Sequence, residues 1–210
     1  MTTARRTQKQ RREEAETALL TAAAELVDEQ GVRALTLAAV GERAGYSRGL
    51  VTHYFGSKQA LVERLARSAQ AGFVPGLDGL PPGLDRLLRL IDGYIGGLGR
   101  MGVLNRVFLK LWTEAATATE LTLLFRERNK AFHADLYEDL AAGIADGAIR
   151  PDVAPDETAT AIVAQLRGIG MQRLVDPERV DTERLRIQVT GLWRRGLEEA
   201  RPSSASVRNS

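Results

Sequence analysis

Apolar side chains recur along most of this chain at three- and four-residue intervals. Ala15, Leu19, Ala22, Ala23, Leu26 and Val27 share one helical face, and that spacing predicts a helix over about residues 13–31. Ala159, Ile162, Val163, Leu166 and Ile169 repeat the pattern, as do Leu185, Val189, Leu192, Trp193, Gly196 and Leu197. β-Branched residues alternating with polar ones between turns, the mark of a half-buried strand, are not found. The expected fold class is all-α.

Proline marks the ends of these segments. The seven prolines stand at 75, 81, 82, 151, 155, 177 and 202, and none precedes residue 75. Because proline breaks helix interiors, the stretch VPGLDGLPPG at 74–83 is the expected boundary between domains. Four parts are expected: a basic, unstructured arm over 1–12, a helical domain over 13–66, a larger helical domain over 67–200, and an unstructured tail over 201–210, which has little to bury.

Residues 35–61 read LTLAAVGERAGYSRGLVTHYFGSKQAL. Thr36 is placed to cap a short helix running to about Ala44, since its hydroxyl accepts from a free backbone N–H. Gly45 then supplies the left-handed residue that ends it. Ser47 caps a second helix through about Tyr54, Gly56 stops that one, and Ser57 caps a third beginning at Lys58. Two short helices joined by a three- or four-residue turn containing glycine form a helix-turn-helix pattern. Val51 and Phe55 are expected to face inward with Val40, Ala44 and Leu61, leaving Ser47, Arg48, Thr52 and His53 outside. Arg48 has the reach and geometry for a guanine edge in a major groove. Thr52 and His53 suit base edges or phosphates, Leu50 a thymine methyl, and Gly49 a close backbone approach. Lys58, at a helix start, favours a phosphate.

With Thr36, Ala44-Gly45, Ser47, Gly49, Tyr54-Phe55, Ser57-Lys58 and Leu61 in place, this run resembles the N-terminal DNA-binding domain of TetR-type transcriptional regulators. So does the preceding helix, which closes with Asp28-Glu29-Gln30-Gly31. The resemblance is specific over about residues 13–65. It implies a dimeric all-helical repressor, with 13–66 as its helix-turn-helix DNA-binding domain and 67–200 as its helical effector-binding and dimerisation domain with a small-molecule pocket, and it carries DNA contacts onto Thr36, Tyr46, Ser47, Arg48, Gly49, Thr52, His53 and Lys58. Where such regulators usually have two aromatics before His-Phe, this chain has Thr52-His53-Tyr54-Phe55, so His53 stands where the second aromatic contacts phosphate. Residues 149–197 resemble the end of the betaine-responsive group. That likeness implies that the last two helices form a four-helix bundle with a partner subunit; their wide apolar faces, with Gly168 and Gly170, agree with it.

Charge and composition sharpen this reading. Arg5, Arg6, Lys9, Arg11 and Arg12 meet no acid within residues 1–12, a placement suited to a polyanion. Cysteine is absent, which removes disulfides, thiol catalysis and cysteine-ligated zinc. Two histidines, His53 and His133, leave little for a metal site. Charges interrupt each apolar run before the roughly 18–20 residues of a membrane span, and the basic N-terminus lacks an apolar stretch behind it, so a cytoplasmic location without a membrane partner is expected. Gly97, Gly99 and Gly102 spell GxGxxG, but that fingerprint needs a preceding strand and here follows a helical pattern, so no cofactor is expected. His133, Asp135, Tyr137, Glu138 and Asp139 cluster on one helix, the carboxylates reading as a solvated face. Aromatics concentrate in the middle of the chain (Phe73, Tyr94, Phe108, Trp112, Phe125, Phe132, Tyr137), where a helical ligand cavity would need them. Phe108, Trp112, His133 and Tyr137 are the expected ligand contacts. The function expected is a repressor that leaves a palindromic DNA operator on binding a small-molecule effector; the alternative is a helical metabolite-binding protein or small enzyme that ignores DNA.

Overall fold

The computed structural model describes residues 8–70, 77, 79–117 and 119–198. The expectations for residues 1–7, Phe73, residues 74–76 and 78 of the 74–83 boundary, and the 201–210 tail fall outside the described residues. Among those described, every regular element is a helix: α1 (Gln8–Gln30), a 3-10 turn (Val32–Ala34), α2 (Leu37–Ala44), α3 (Arg48–Phe55), α4 (Lys58–Gln70), α5 (Leu84–Gly99), α6 (Val103–Glu114), α7 (Thr119–Ala145), α8 (Pro155–Val175) and α9 (Thr182–Leu197). α1 begins earlier than its apolar face suggests. Residues 8–12, expected to belong to the unstructured arm, form its first turns, aided by good helix formers and by the Lys9–Glu13 pair one turn apart.

Packing divides the chain into two compact units. One holds residues 8–70 with 100–117 and 119–129; the other holds 79–99 with 130–198. This grouping differs from a linear division at residue 66, because α6 packs on α1 and α4 although it lies far from them in sequence.

In the first unit α1 buries Leu19, Ala22, Ala23, Ala24, Leu26 and Val27. The alanines keep one side of the rod slim, so α2, α4 and α6 all pack on it. Leu35, Val40, Val51, Leu61 and Leu65 complete the interior with no exposed surface; each is worth roughly 1.5–3 kcal/mol of apolar burial. A charge cluster fixes α6 on α1. Arg106 Nε donates to both oxygens of Asp28 at 3.0 Å, its Nη2 donates to Oδ2 at 2.6 Å, and its Nη1 donates to the Met101 carbonyl at 2.9 Å. Lys110 adds bonds to the Asp28 carboxylate, at 3.2 Å, and to its carbonyl. The Arg106 guanidinium, outweighing partial burial, holds the Asp28 carboxyl below its ordinary range.

In the second unit α5 packs along α9 and against α8. Leu87, Ile91, Ile95, Leu98, Leu136, Leu140, Ile162 and Leu166 form its dry interior. Asp139, also buried, accepts from Gly83 N at 3.1 Å and Arg86 Nε at 2.5 Å; it ties α7 to the start of α5 rather than belonging to a solvated face. Burial pushes its carboxyl above the ordinary range. The GxGxxG run closes α5 and continues into the link before α6. Gly99 is there for packing: a Cβ on it would stand 2.7 Å from the Thr182 hydroxyl.

Candidate nucleic-acid interface

The local chemistry of residues 36–60 sets three helices in fixed succession. Thr36 Oγ1 accepts from Ala39 N at 3.0 Å and opens α2. Gly45 closes it in the left-handed conformation, φ 74° and ψ 27°, which only glycine adopts without a Cβ penalty. Ser47 Oγ then accepts from Leu50 N at 3.2 Å and opens α3. Gly56, at φ 73°, ends α3, and Ser57 Oγ accepts from Ala60 N at 3.1 Å to open α4. Each cap answers an N–H that a helix start would otherwise leave unpaired.

Gly41 carries a constraint that the sequence pattern did not signal. It lies inside α2, buried, and its carbonyl accepts from Tyr46 N at 2.8 Å. A Cβ there would come within 2.7 Å of the Tyr46 carbonyl and 3.3 Å of Arg48 N. The turn between α2 and α3 is therefore pressed directly on the backbone of α2.

α3 presents two sides. Val51 is fully buried with Val40 and Leu61. Ala44 and Phe55, expected beside them, are half-buried at helix ends, where a two-turn helix cannot cover its last residues. Ser47, Arg48, Gly49, Thr52 and His53 are exposed, as are Thr36 and Lys58, while Tyr46 and Leu50 are half-buried. Thr52 Oγ1 donates to the Arg48 carbonyl at 3.0 Å, which commits its hydrogen and leaves its lone pairs outward. The His53 and Tyr54 rings meet edge-on, centroids 5.9 Å apart. Beside them runs a groove of about 550 Å³ lined by Gln8, Arg11 and Arg12 of α1 and by Leu50, His53 and Tyr54 of α3. The basic residues next to α3 thus ride on helix. Arg43, in the last turn of α2, is paired with Glu29 at 2.7 Å and Glu25 at 3.8 Å, so it braces α2 on α1.

The residues expected to meet a small molecule divide between the units. Phe108 is fully buried and packs on Phe125, centroids 5.5 Å apart, with Trp112 half-buried one turn along; both belong to the first unit. His133 and Tyr137 belong to the second. His133 Nε2 lies 3.1 Å from the Asp156 carbonyl and 3.2 Å from Thr160 Oγ1, and Tyr137 is 46% exposed. Among the described residues, no group of three or more acidic or histidine side chains is placed to hold a metal ion. No described helix is long and apolar enough to cross a membrane.

Comparison with known proteins agrees with this arrangement. The sequence profile of bacterial regulatory proteins, tetR family, matches residues 19–65, and that of the BetI-type transcriptional repressor C-terminal region matches residues 83–198. The HTH-type transcriptional regulator BetI of Vibrio campbellii is 25% identical over 175 residues, covering 80% of this chain and 85% of that one. BetI 1 of Chromohalobacter salexigens is 24% identical over 173 residues, covering 80% and 83%. Among solved structures, NalD of Pseudomonas aeruginosa, the secondary repressor of the MexAB-OprM multidrug efflux pump, superposes with a TM-score of 0.73 at 25% identity over 91% of this chain and 99% of that one. A transcriptional regulator from Saccharomonospora viridis, solved in complex with choline, gives 0.75 at 22% identity over 90% and 100%, a likeness of fold.

Proposed function

The chain belongs to the tetR family of bacterial regulatory proteins, with the C-terminal region of a BetI-type transcriptional repressor, and from that premise we propose how it engages DNA and how it is released. The carrying observation is the doubly capped turn that leaves α3 with a buried Val51 and an exposed row of Ser47, Arg48, Thr52 and His53. α3 enters the major groove, with Arg48 reading a guanine. Thr36, Tyr46, Ser47 and Gly49 come up to the strands at the turn. Lys58, His53, Arg11 and Arg12 engage phosphates, which makes binding fall steeply with salt.

Two copies pair through α8 and α9. Support comes from Val175, Ile187 and Leu192, which are 80, 65 and 54% exposed, and from Gly168, around which a Cβ would meet nothing. Large apolar side chains left in water on two neighbouring helices are the mark of an interface. The paired α3 helices then read half-sites about 34–36 Å apart, or a multiple of that. A small-molecule effector taken by the C-terminal region favours a spacing that no longer fits. Near-complete release needs roughly a 10⁴-fold preference of the effector for that state, about 5.5 kcal/mol.

The test is a gel shift on the DNA upstream of the chain's own gene, against random duplex of equal length. A specific complex at least a hundredfold tighter than the random one is expected. Equal binding to both would overturn the operator reading.

A further inference from the structure

We propose that a cleft in the first unit, between the 3-10 turn, the start of α4 and the α6–α7 corner, binds a small zwitterion. The ligand is an ω-amino acid whose carboxylate meets Arg33 and Lys58 and whose ammonium meets Glu114. All of the lining belongs to the first unit, so the site does not depend on the effector reading of the C-terminal region. Only its consequence for DNA rests on Lys58 as a phosphate contact.

The cleft holds about 440 Å³, a size in the range of small-molecule sites. Val32, Val62 and Leu121 supply its apolar lining, the last two buried. Ser57 and Gln59 also line it, but both are engaged within α4: Ser57 Oγ accepts from Ala60 N, and Gln59 Nε2 donates to Glu63 Oε1 at 3.2 Å. The remaining lining is charged. Arg33 and Lys58 are exposed and Glu114 is half-buried. Two cations and an acid thus share one cleft without pairing; among the described residues, none of the three has an ion-pair partner.

Fold stability does not account for where two of these charges stand. Lys58 is the first residue of α4 and Glu114 the last of α6. A helix start carries partial positive charge and a helix end partial negative charge, so each side chain occupies the end that disfavours it. Neither gains an ion pair in return. Their charges are left for a molecule from solution, and the two signs select its chemistry. A plain carboxylate satisfies the cations but meets Glu114 as a like charge. A plain amine satisfies Glu114 but meets two cations. A molecule carrying both ends, with methylenes between them to cover Val32, Val62 and Leu121, answers all three and escapes both repulsions. Its carboxylate then competes with a duplex phosphate for the Lys58 ammonium, and by reciprocity DNA weakens the ligand as much as the ligand weakens DNA.

Titration calorimetry on the full chain reads the site, with ω-amino acids of four to eight carbons set against unbranched carboxylates and amines of matching length. At least one ω-amino acid is expected to bind ten times more tightly than both of its single-charge counterparts. Glu114→Gln is expected to remove that preference, so that the plain carboxylate binds as well as the amino acid. Lys58→Gln combined with Arg33→Gln is expected to lose the amino acid by at least tenfold. Absence of binding by every ω-amino acid overturns the proposal, as does a plain carboxylate or amine that binds the wild-type chain equally well. An unchanged ranking in Glu114→Gln overturns it too. If a variant loses its helical circular dichroism, the wild-type ranking still decides. Binding to random duplex at low salt separates the two readings. With the preferred amino acid saturating, the wild-type chain is expected to bind duplex more weakly, and Lys58→Gln to be indifferent to the ligand. Ligand binding without effect on duplex strikes the phosphate role of Lys58 alone, while intact duplex binding with no ligand binding strikes this site alone.

Discussion

Replacing Gly41 by alanine isolates the contact that sets the angle between α2 and α3. In an ordinary helix interior this exchange stabilises by about 1 kcal/mol, because glycine loses more backbone freedom on folding. At position 41 the added carbon would stand 2.7 Å from the Tyr46 carbonyl oxygen, 3.2 Å from Val51 Cγ2 and 3.3 Å from Arg48 N. Two of those three atoms are backbone and have no rotamer to retreat into. Overfilling a packed site costs about 1–3 kcal/mol, so the expected balance is a loss of about 1 kcal/mol, or a fall in Tm of about 2–4 °C for a chain of this size. The same push displaces the first residues of α3, so operator affinity falls while binding to random duplex is retained. Gly49→Ala is the control. Its Cβ would touch only Ser47 Oγ at 3.8 Å, so stability rises by about 0.5–1 kcal/mol; operator binding drops because the new methyl faces the duplex. Unfolding in urea and parallel gel shifts read both quantities. If Gly41→Ala stabilised the protein as Gly49→Ala does and bound operator normally, the turn would not be set by backbone contact at residue 41.

Other perturbations test separate parts of the reading. Arg48→Ala is expected to cost about 1–3 kcal/mol on operator and to relax base preference at one position, whereas Lys58→Ala weakens all duplexes alike and lowers the salt slope by about one; equal losses on operator and random DNA for Arg48→Ala would remove its base-reading role. Asp28 is held below its ordinary range chiefly by Arg106, so the stability it adds is fully present above the normal aspartate range and is lost as pH falls through the depressed value. Asp28→Asn should therefore flatten the acid limb of an unfolding-versus-pH curve and cost about 1–2 kcal/mol at neutral pH; an unchanged acid limb would contradict the assignment. Ile187→Glu with Leu192→Glu should yield monomers in sedimentation that no longer bind the full operator, and a tightly bound double variant would exclude pairing through α9.

The helix-turn-helix was legible because its determinants are local. Thr36, Ser47 and Ser57 each cap an N–H three residues ahead, and Gly45 ends its helix through its own backbone preference; none needs a distant partner. Gly41 was not legible, because its reason is the carbonyl of Tyr46 pressed against it across the turn. Arg11 and Arg12 read as an unstructured arm on charge alone, since a run of cations says nothing about the glutamines and glutamates that let it continue as helix. Arg167 gives no signal in the sequence pattern, because the rings it meets, Tyr94 and Phe132, lie 73 and 35 residues away. The place of α6 beside α1 was hidden for the same reason, the link being a carboxylate at 28 shared by cations at 106 and 110.

The early start of α1 changes what its arginines contribute. A floppy tail must give up about 1–2 kcal/mol of chain entropy for every residue it orders on a duplex, and it can drape over many phosphate spacings. Arg11 and Arg12 sit on a rod already bonded to itself, so in the proposed complex little ordering cost remains at docking. Their distance to α3 is set before any DNA arrives. Under the proposed phosphate contacts they act as a ruler rather than a tether: operators with the right letters but an altered backbone path along that flank are expected to be rejected on shape.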